Sequence, residues 1–313
     1  MKKTYVGGQA VMEGVMMKHG DEYAIAVRKP DKNIEVKIEK YESFADKHPF
    51  AKWPIVRGVV NFVESMVVGM KTLTYSASFF EEEEEEPSKM TNWLDKVTGG
   101  KAEDILMGLT VCFSIIMAIG LFMVLPYLLT GFLSNFIKSH FIVTVIEGVV
   151  RIGIFLLYVV LISQMEDIQR VFMYHGAEHK TINCMENGED LTPENVKKYS
   201  RLHKRCGTSF LLIVMVVSII FFMFIRLENV WLKVIVRILL VPVIAGVSYE
   251  FIRLAGRSDN KLVCTLSKPG MMLQKLTTRE PDEEMIEVAI KAVEGVFDWK
   301  PYVKAVREGT LED

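Results

Sequence analysis

One polar connection between apolar segments concentrates the side chains that can hold a metal ion. His175 and His179 are four residues apart, so on a helix both imidazoles project from the same face. Glu178 stands beside them in the H-x-x-E-H order of inverted zincin metalloproteases. A five-residue pattern is weak alone, but His203 and Cys206 follow in the same connection and add two ligand types that zinc accepts.

Three interpretations of this group are open. A catalytic metal site keeps three protein ligands, a structural zinc site closes with four, and ordinary basic-loop residues beside anionic lipid head groups need no metal. We predict zinc, or another divalent metal, held by the two motif histidines and by one of His203, Cys206 or Cys184. Glu178 is the predicted general base. A redox pair of Cys184 and Cys206 is disfavoured, because they do not form a C-x-x-C motif.

Charged residues within apolar stretches form a second set of candidates. Glu147 and Arg151 are four residues apart and are expected to pair. Such charges are costly at membrane depth and are therefore functional candidates by default. Glu250 is either an additional ligand or catalytic base for the metal group, or an ordinary salt-bridge partner of Arg253 or Arg57.

The elements that carry these residues include four apolar stretches. Each approaches or exceeds the ~20 residues that cross ~30 Å of hydrocarbon. They are Ile105–Leu133, Phe141–Ser163, Thr208–Ile225 and Leu232–Leu254. The connection Gln164–Gly207 is rich in Lys and Arg, so the positive-inside rule predicts a multi-pass protein of the cell membrane with this connection and both termini in the cytoplasm.

Local helix signals place the metal motif on a helical hairpin. Asn187-Gly188 is a typical helix stop and Thr192-Pro193 a typical start. We expect one arm over His175–Glu186 and a returning helix over Pro193–Cys206. A bend near Gln164–Gln169 is then needed to keep both arms close to the membrane.

The N-terminal part combines a small sheet with an amphipathic helix. Alternating apolar residues in Tyr5–Lys40 predict antiparallel strands. The glycine-rich segment Gly7–Met17 is read as a strand, with the alternative of a loop that places Gln9 or Glu13 at a site. Pro54–Tyr75 is expected to lie in the membrane interface or to insert partly, because a polar stripe interrupts its apolar surface. The stripe comprises Arg57, Asn61, Glu64 and Lys71, and Arg57 and Glu64 are also candidate site residues.

The expected fold is a mainly α integral membrane protein with about four transmembrane helices, a small N-terminal antiparallel β-sheet and a cytoplasmic helical hairpin. Its parts are a β-rich region (1–53), the amphipathic or partly inserted helix (54–80), an acidic linker (81–104), transmembrane helices 1 and 2 (105–163), the His/Cys hairpin (164–207), transmembrane helices 3 and 4 (208–255) and a C-terminal cytoplasmic segment with an amphipathic helix (256–313). In that last helix Pro281 is expected in the first turn.

Composition limits the partners. The net charge of -2 gives no electrostatic footprint for nucleic acid, which is excluded as a partner. Four cysteines are too few and too scattered for a disulfide scaffold. Membrane lipids are the expected partners, a homo-oligomer is compatible with the chain, and no substrate is indicated.

Several segments together resemble the YqhQ family of uncharacterised bacterial membrane proteins, which are labelled predicted metal-dependent enzymes. The match runs along nearly the whole chain. Its carriers are Gly7–Met17, Arg57-Gly58, His175-Gly176-Ala177-Glu178-His179-Lys180, Cys206-Gly207-Thr208-Ser209-Phe210, Tyr249-Glu250 and Thr277-Thr278-Arg279-Glu280-Pro281. The resemblance implies a bacterial inner-membrane protein with a metal and brings no substrate. It also makes Gln9 and Glu13 candidate site residues.

These observations predict a membrane-embedded, cytoplasm-facing, zinc-dependent enzyme of hydrolase type. One alternative is a non-enzymatic scaffold, assembly or lipid-handling protein with a structural metal site. A transporter is less favoured, because four spans without a repeated half would require an oligomer. The transporter interpretation depends on four charged residues: Glu147, Arg151, Arg237 and Glu250.

Overall fold

The computed structural model describes residues 4–80, 102–227, 229–257 and 260–310. The described residues form four strands and twelve α-helices. The strands are β1 Gly7–Val11, β2 Gly14–His19, β3 Glu22–Arg28 and β4 Ile34–Lys40. The helices are α1 Phe44–Lys47, α2 Val56–Ala77, α3 Ala102–Ile119, α4 Leu125–Gly131, α5 His140–Ile162, α6 Glu166–Glu186, α7 Pro193–Val196, α8 Gly207–Met223, α9 Val230–Arg257, α10 Lys261–Thr277, α11 Glu283–Glu294 and α12 Trp299–Glu308.

These elements belong to two compact units. The first is built from segments within 4–80, 159–217 and 241–310, and the second from segments within 102–158 and 218–240. Almost all of the predicted acidic linker (81–104) lies outside the described residues.

The predicted antiparallel sheet is confirmed as a meander in the order β1-β2-β3-β4. The glycine-rich segment forms β1 and β2, joined at a tight turn in which Glu13 has a φ of 49°. Its interpretation as a strand therefore holds. The buried side of the sheet packs on α11 and α6, and its core includes Val15 and Met17.

Helix α11 confirms the predicted amphipathic C-terminal helix. Asp282 caps it, because its carboxylate accepts the Met285 N–H at 2.8 Å. Pro281 therefore precedes the helix instead of standing in its first turn. The buried face of α11 includes Ile286 and Val293, which lie in the same core as the sheet.

Among the residues that the structure describes, three helical stretches are long and apolar enough to cross a membrane: Ile105–Gly131, His140–Ile162 and Trp231–Gly256. The third of the four predicted spans corresponds to α8, an apolar helix of 17 residues. At 1.5 Å per residue it extends ~26 Å, slightly less than a hydrocarbon core.

The polar stripe of α2 faces the protein. Each of its four predicted members contacts a polar group elsewhere in the first unit. The pairs are Arg57–Glu250, Asn61–Tyr249, Glu64–Ser43 and Lys71–Glu39.

The predicted bend between the second span and the helix that carries the His/Glu motif is present. Helix α5 ends at Ile162 and α6 begins at Glu166, after Met165 in an extended conformation. The Arg279 guanidinium stabilises this break by donating to the Ser163 carbonyl at 2.9 Å and to Gln169 Oε1 at 3.0 Å.

The returning arm of the hairpin differs from the prediction. Helicity is limited to the four residues of α7, and 197–206 is irregular. The irregular conformation is stabilised instead by side chains of α6, which donate hydrogen bonds to the backbone carbonyls of this segment. We call these contacts the carbonyl ladder. Lys180 donates to the carbonyls of 197 and 199, Asn183 to those of 200 and 202, and His179 to that of 201.

Candidate metal centre

Three predicted ligands converge within the first unit. The ligand atoms of His175, His179 and Cys206 all lie within 4.8 Å of one another. His175 Nε2 is 3.3 Å from Cys206 Sγ. Nitrogen and sulfur ligands of a tetrahedral zinc ion are about 3.5 Å apart, given its usual bond lengths. The group therefore fits a metal ion after small side-chain movements.

Backbone carbonyls fix the orientation of both histidines. His175 Nδ1–H donates to the Thr277 carbonyl at 2.8 Å, and His179 Nδ1–H donates to the Arg201 carbonyl at 2.6 Å. A protonated Nδ1 leaves the Nε2 lone pair available as a metal ligand. Metal-binding histidines in proteins are usually held in this way by their second nitrogen.

Helix geometry brings the three ligands together. The four-residue spacing on α6 places the rings of His175 and His179 with their centroids 4.4 Å apart. Cys206 immediately precedes α8, and its Sγ accepts the Thr208 N–H at 3.3 Å. The thiol is thus held at the N-terminus of a helix, where a negative charge is favoured.

Glu178 is buried beside the histidines. Burial raises the pKa of its carboxyl to about 7, against the opposing effects of the His175 charge and the Gly8 N–H. A Cβ at Gly8 would lie 2.9 Å from Glu178 Cγ, so glycine is needed for β1 to pass this close. The result is a carboxyl group that can gain or lose a proton near neutral pH.

The remaining predicted ligands lie outside the three-member group. The His203 ring is 5.7 Å from the His179 ring, and its Nε2 is 3.7 Å from Glu186 Oε2. Cys184 is buried with its Sγ 3.8 Å from the Glu189 carbonyl oxygen. Burial raises the pKa of the Cys184 thiol to about 12, which disfavours the thiolate that a metal requires.

The two N-terminal candidates, Glu13 and Gln9, lie outside the metal group. Glu13 accepts hydrogen bonds from Arg170 at 2.5 Å and from the Tyr174 hydroxyl at 3.3 Å. The Gln9 amide packs on α2, where a Cβ at Gly69 would lie 2.7 Å from Gln9 Oε1. The two residues thus attach the β1–β2 hairpin to neighbouring helices, Glu13 to α6 and Gln9 to α2.

Three more candidates have structural partners in the first unit. Glu250 pairs with Arg57, whose Nε donates at 2.6 Å, so the structure places it in one of the two predicted arrangements, the salt bridge. Glu64 accepts the Phe44 N–H at 2.6 Å at the beginning of α1.

Glu147 and Arg151 form a buried ion cluster in the second unit. The Glu147 carboxylate accepts from Arg151 at 2.8 Å and from Arg237 at 2.6 and 3.0 Å. A π-helical segment, Gly120–Val124, exposes the Phe122 carbonyl, which accepts the Arg151 Nε–H at 2.9 Å. The predicted pair is therefore part of a cluster with two guanidinium groups and one carboxylate.

A cavity of about 730 Å³ adjoins the metal group within the first unit. Its wall includes all three ligands and Glu178, together with Asn61 and Glu64 of α2 and residues 7–10 of β1. This volume lies in the range of small-molecule sites.

Sequence reasoning missed Gln274 as a residue that positions the site. This fully buried amide accepts the His203 N–H at 2.9 Å and donates to the His203 carbonyl and to Ser209 Oγ, both at 2.8 Å. It thereby holds the loop that ends at Cys206. A glutamine on a helix distant in sequence matches no ligand motif. The nearest residue that the sequence analysis singled out is Thr277, which begins one of the segments that carry the family resemblance.

Comparisons with known proteins agree with the predicted resemblance. The family described as "Protein of unknown function (DUF1385)" matches residues 53–299. The "Uncharacterized protein YqhQ" of Bacillus subtilis (strain 168) is 32% identical over 287 residues, which cover 91% of this chain and 90% of that protein. No solved structure matches the chain. The chain therefore belongs to the DUF1385 family.

Proposed function

We propose that this protein is a membrane-embedded, metal-dependent enzyme of the hydrolase class. The observation that carries the proposal is the convergence of His175, His179 and Cys206 beside a buried carboxyl in a cavity wall. An isolated ligand cluster would serve equally well as a structural element. A cluster that shares a cavity with an acid–base group has the parts that hydrolysis requires.

The donor set favours zinc. Two imidazoles and one thiolate suit zinc and related transition metals, whereas magnesium and calcium prefer oxygen ligands. Three protein ligands also leave a fourth position for substrate, as in catalytic zinc sites. A bound zinc ion would supply Lewis acidity, which polarises a carbonyl or phosphoryl oxygen of the substrate.

Glu178 is the proposed general base. Its carboxylate takes a proton from the attacking water and, as a carboxylic acid, returns that proton to the leaving group, so it ends the cycle unchanged. Its burial and the hydrogen bond from the Gly8 N–H hold the carboxyl group in one place beside the metal group. We also propose that this site faces the cytoplasm, because the connection Gln164–Gly207 is rich in Lys and Arg.

A structural metal site in a non-enzymatic scaffold is the second candidate. It is favoured by the position of His203, whose ring lies 5.7 Å from that of His179 and would need only a modest movement to become a fourth ligand. A site closed by four protein ligands would have no position for substrate.

Elemental analysis of the purified full-length protein tests the metal directly. We expect close to one zinc per chain in the wild type and in the control His48→Ala, since His48 lies in an exposed loop. The variant His175→Ala/His179→Ala should lose the metal. Equal metal content in this variant and the wild type, or no metal in any of them, would contradict the proposal.

The role of the site is tested by two further measurements. The absorption spectrum of the cobalt-substituted protein should change on addition of azide if a fourth position is open, and it should not change if His203 completes the site. Glu178→Gln should keep its zinc but lose hydrolysis of a panel of chromogenic esters and phosphoesters that the wild type cleaves. Loss of zinc from Glu178→Gln would show that this residue is a ligand and not a base.

A further inference from the structure

We infer that the cavity beside the metal group takes its ligand from the lipid bilayer, and that this ligand is a phospholipid or a similar amphiphile. The inference rests on the proposed function, because it assigns a substrate class to the same site. Three observations support it: the different character of the two opposite faces of α2, the packing of α2 on two apolar helices, and the presence of both polar and apolar residues in the cavity wall.

One face of α2 lines the cavity. Asn61, Glu64, Ser65 and Val68 all belong to the cavity wall. On a helix with 100° between residues these four positions fall on one side. Helix α2 therefore forms one wall of the site.

The opposite face of α2 is apolar and exposed. Its side chains are between 43% and 64% exposed. They are Val63, Met66, Val67, Met70 and Leu73, spaced as one continuous helical stripe. Water would be an unfavourable neighbour for five adjacent large apolar side chains, and acyl chains would be a favourable one.

Contacts with two apolar helices support acyl chains as the occupant of this exposed face. A Cβ on Gly58 would lie 2.8 Å from the Cα of Gly246, so α2 crosses α9 at a close approach of two glycines. The rings of Phe62 and Phe210, the latter in α8, are 5.6 Å apart between centroids. Helix α9 contains a candidate membrane span, so α2 packs against a helix that is expected to be in lipid.

The cavity wall matches an amphiphile. One part provides the metal ligands and Glu178, which suit a polar group with a hydrolysable bond. Apolar residues supply another part, among them Val6, Val171, Phe172 and Ile182. Thr208 and Tyr249 extend the wall to α8 and α9 themselves, so an acyl chain can stay near the bilayer while its head group reaches the metal site.

The test is photolabelling of the full-length protein in nanodiscs. The probe is phosphatidylcholine with a diazirine on the acyl chain close to the head group, and labelled peptides are identified by mass spectrometry. We expect labels on the exposed stripe of α2 and also on the cavity wall, at residues such as Phe172 and Tyr249. Labels on the stripe alone would overturn the inference, and so would labels on neither surface.

Two substitutions that fill the cavity make the result specific. Gly7 lines the cavity and a Cβ there has nothing within 4 Å, so Gly7→Trp should fit and reduce cavity labelling several-fold. Ser65→Trp repeats the test from α2, and Ile38→Trp on the exposed edge strand is the control. Cavity labelling that is equal in all four proteins would overturn the inference.

Zinc content, measured on the same samples, separates the two proposals. Zinc without cavity labelling would leave the proposed enzyme intact and overturn the lipid ligand. Cavity labelling in a wild type that holds no zinc would support the lipid ligand and contradict the proposed function.

Discussion

Gly176→Ala should weaken metal binding although Gly176 is not a ligand. A Cβ at this position would lie 2.0 Å from the Arg279 carbonyl oxygen, compared with an ordinary contact distance of 3.4 Å. The segment after α10 must therefore move away from α6 by about 1.4 Å. Because the obstacle is backbone, no side-chain rotation relieves the contact.

The displacement reaches the metal ligands through Thr277. Its carbonyl, two residues before Arg279, accepts the His175 Nδ1–H at 2.8 Å. A movement of this size would break that hydrogen bond and release the imidazole ring from its fixed orientation. Loss of such a partner typically lowers metal affinity by about 10–100-fold. This corresponds to about 1.4–2.7 kcal/mol of binding free energy.

The assay is a zinc titration in competition with a chelator of known affinity. Gly153→Ala is the matched control, because it is also a glycine-to-alanine change inside a helix and its Cβ would meet nothing within 4 Å. We expect zinc affinity to fall in Gly176→Ala and to stay unchanged in Gly153→Ala. If Gly176→Ala folds and binds zinc as tightly as the wild type, the Thr277 carbonyl does not hold the ligand.

Two further substitutions test buried polar groups in the two units. Glu147→Gln should lower the free energy of unfolding by about 3–5 kcal/mol, because it leaves Arg151 and Arg237 buried without a carboxylate. Thermal unfolding in detergent measures this, with partial recovery expected in Glu147→Gln/Arg237→Gln, and a wild-type stability of Glu147→Gln would contradict the reasoning. Gln274→Leu should speed amide hydrogen exchange around His203 and weaken zinc binding, because three hydrogen bonds are lost. Unchanged exchange measured by mass spectrometry would show that the loop does not need this amide.

The parts of the fold that depend on local periodicity were predictable from the sequence. Helical spacing alone places His175 and His179 side by side, and alternation alone indicates the sheet. The strand interpretation of the glycine-rich segment also holds, because its residues form β1 and β2. Such features are set by residues near one another in the chain.

The parts that depend on contacts distant in sequence were not predictable. The returning arm has a start signal at Thr192-Pro193, but the carbonyl ladder from α6 overrides helix propensity beyond Val196. Likewise, the sequence offers His203 and Cys206 as equal alternatives. Which of them joins the metal group depends on how Gln274 holds the intervening loop, and that contact carries no local signal.

The carbonyl ladder also makes its donor positions less tolerant of substitution than its acceptor positions. Its donors are side chains of α6, whereas its acceptors are backbone oxygens, which every amino acid supplies. Lys180 and Asn183 therefore have few acceptable replacements, while a position such as Lys198 is free to change without loss of the ladder. Within the DUF1385 family we expect insertions and deletions between 197 and 202 to be rarer than substitutions there, because the ladder depends on the spacing of carbonyls and not on the identity of the residues that carry them.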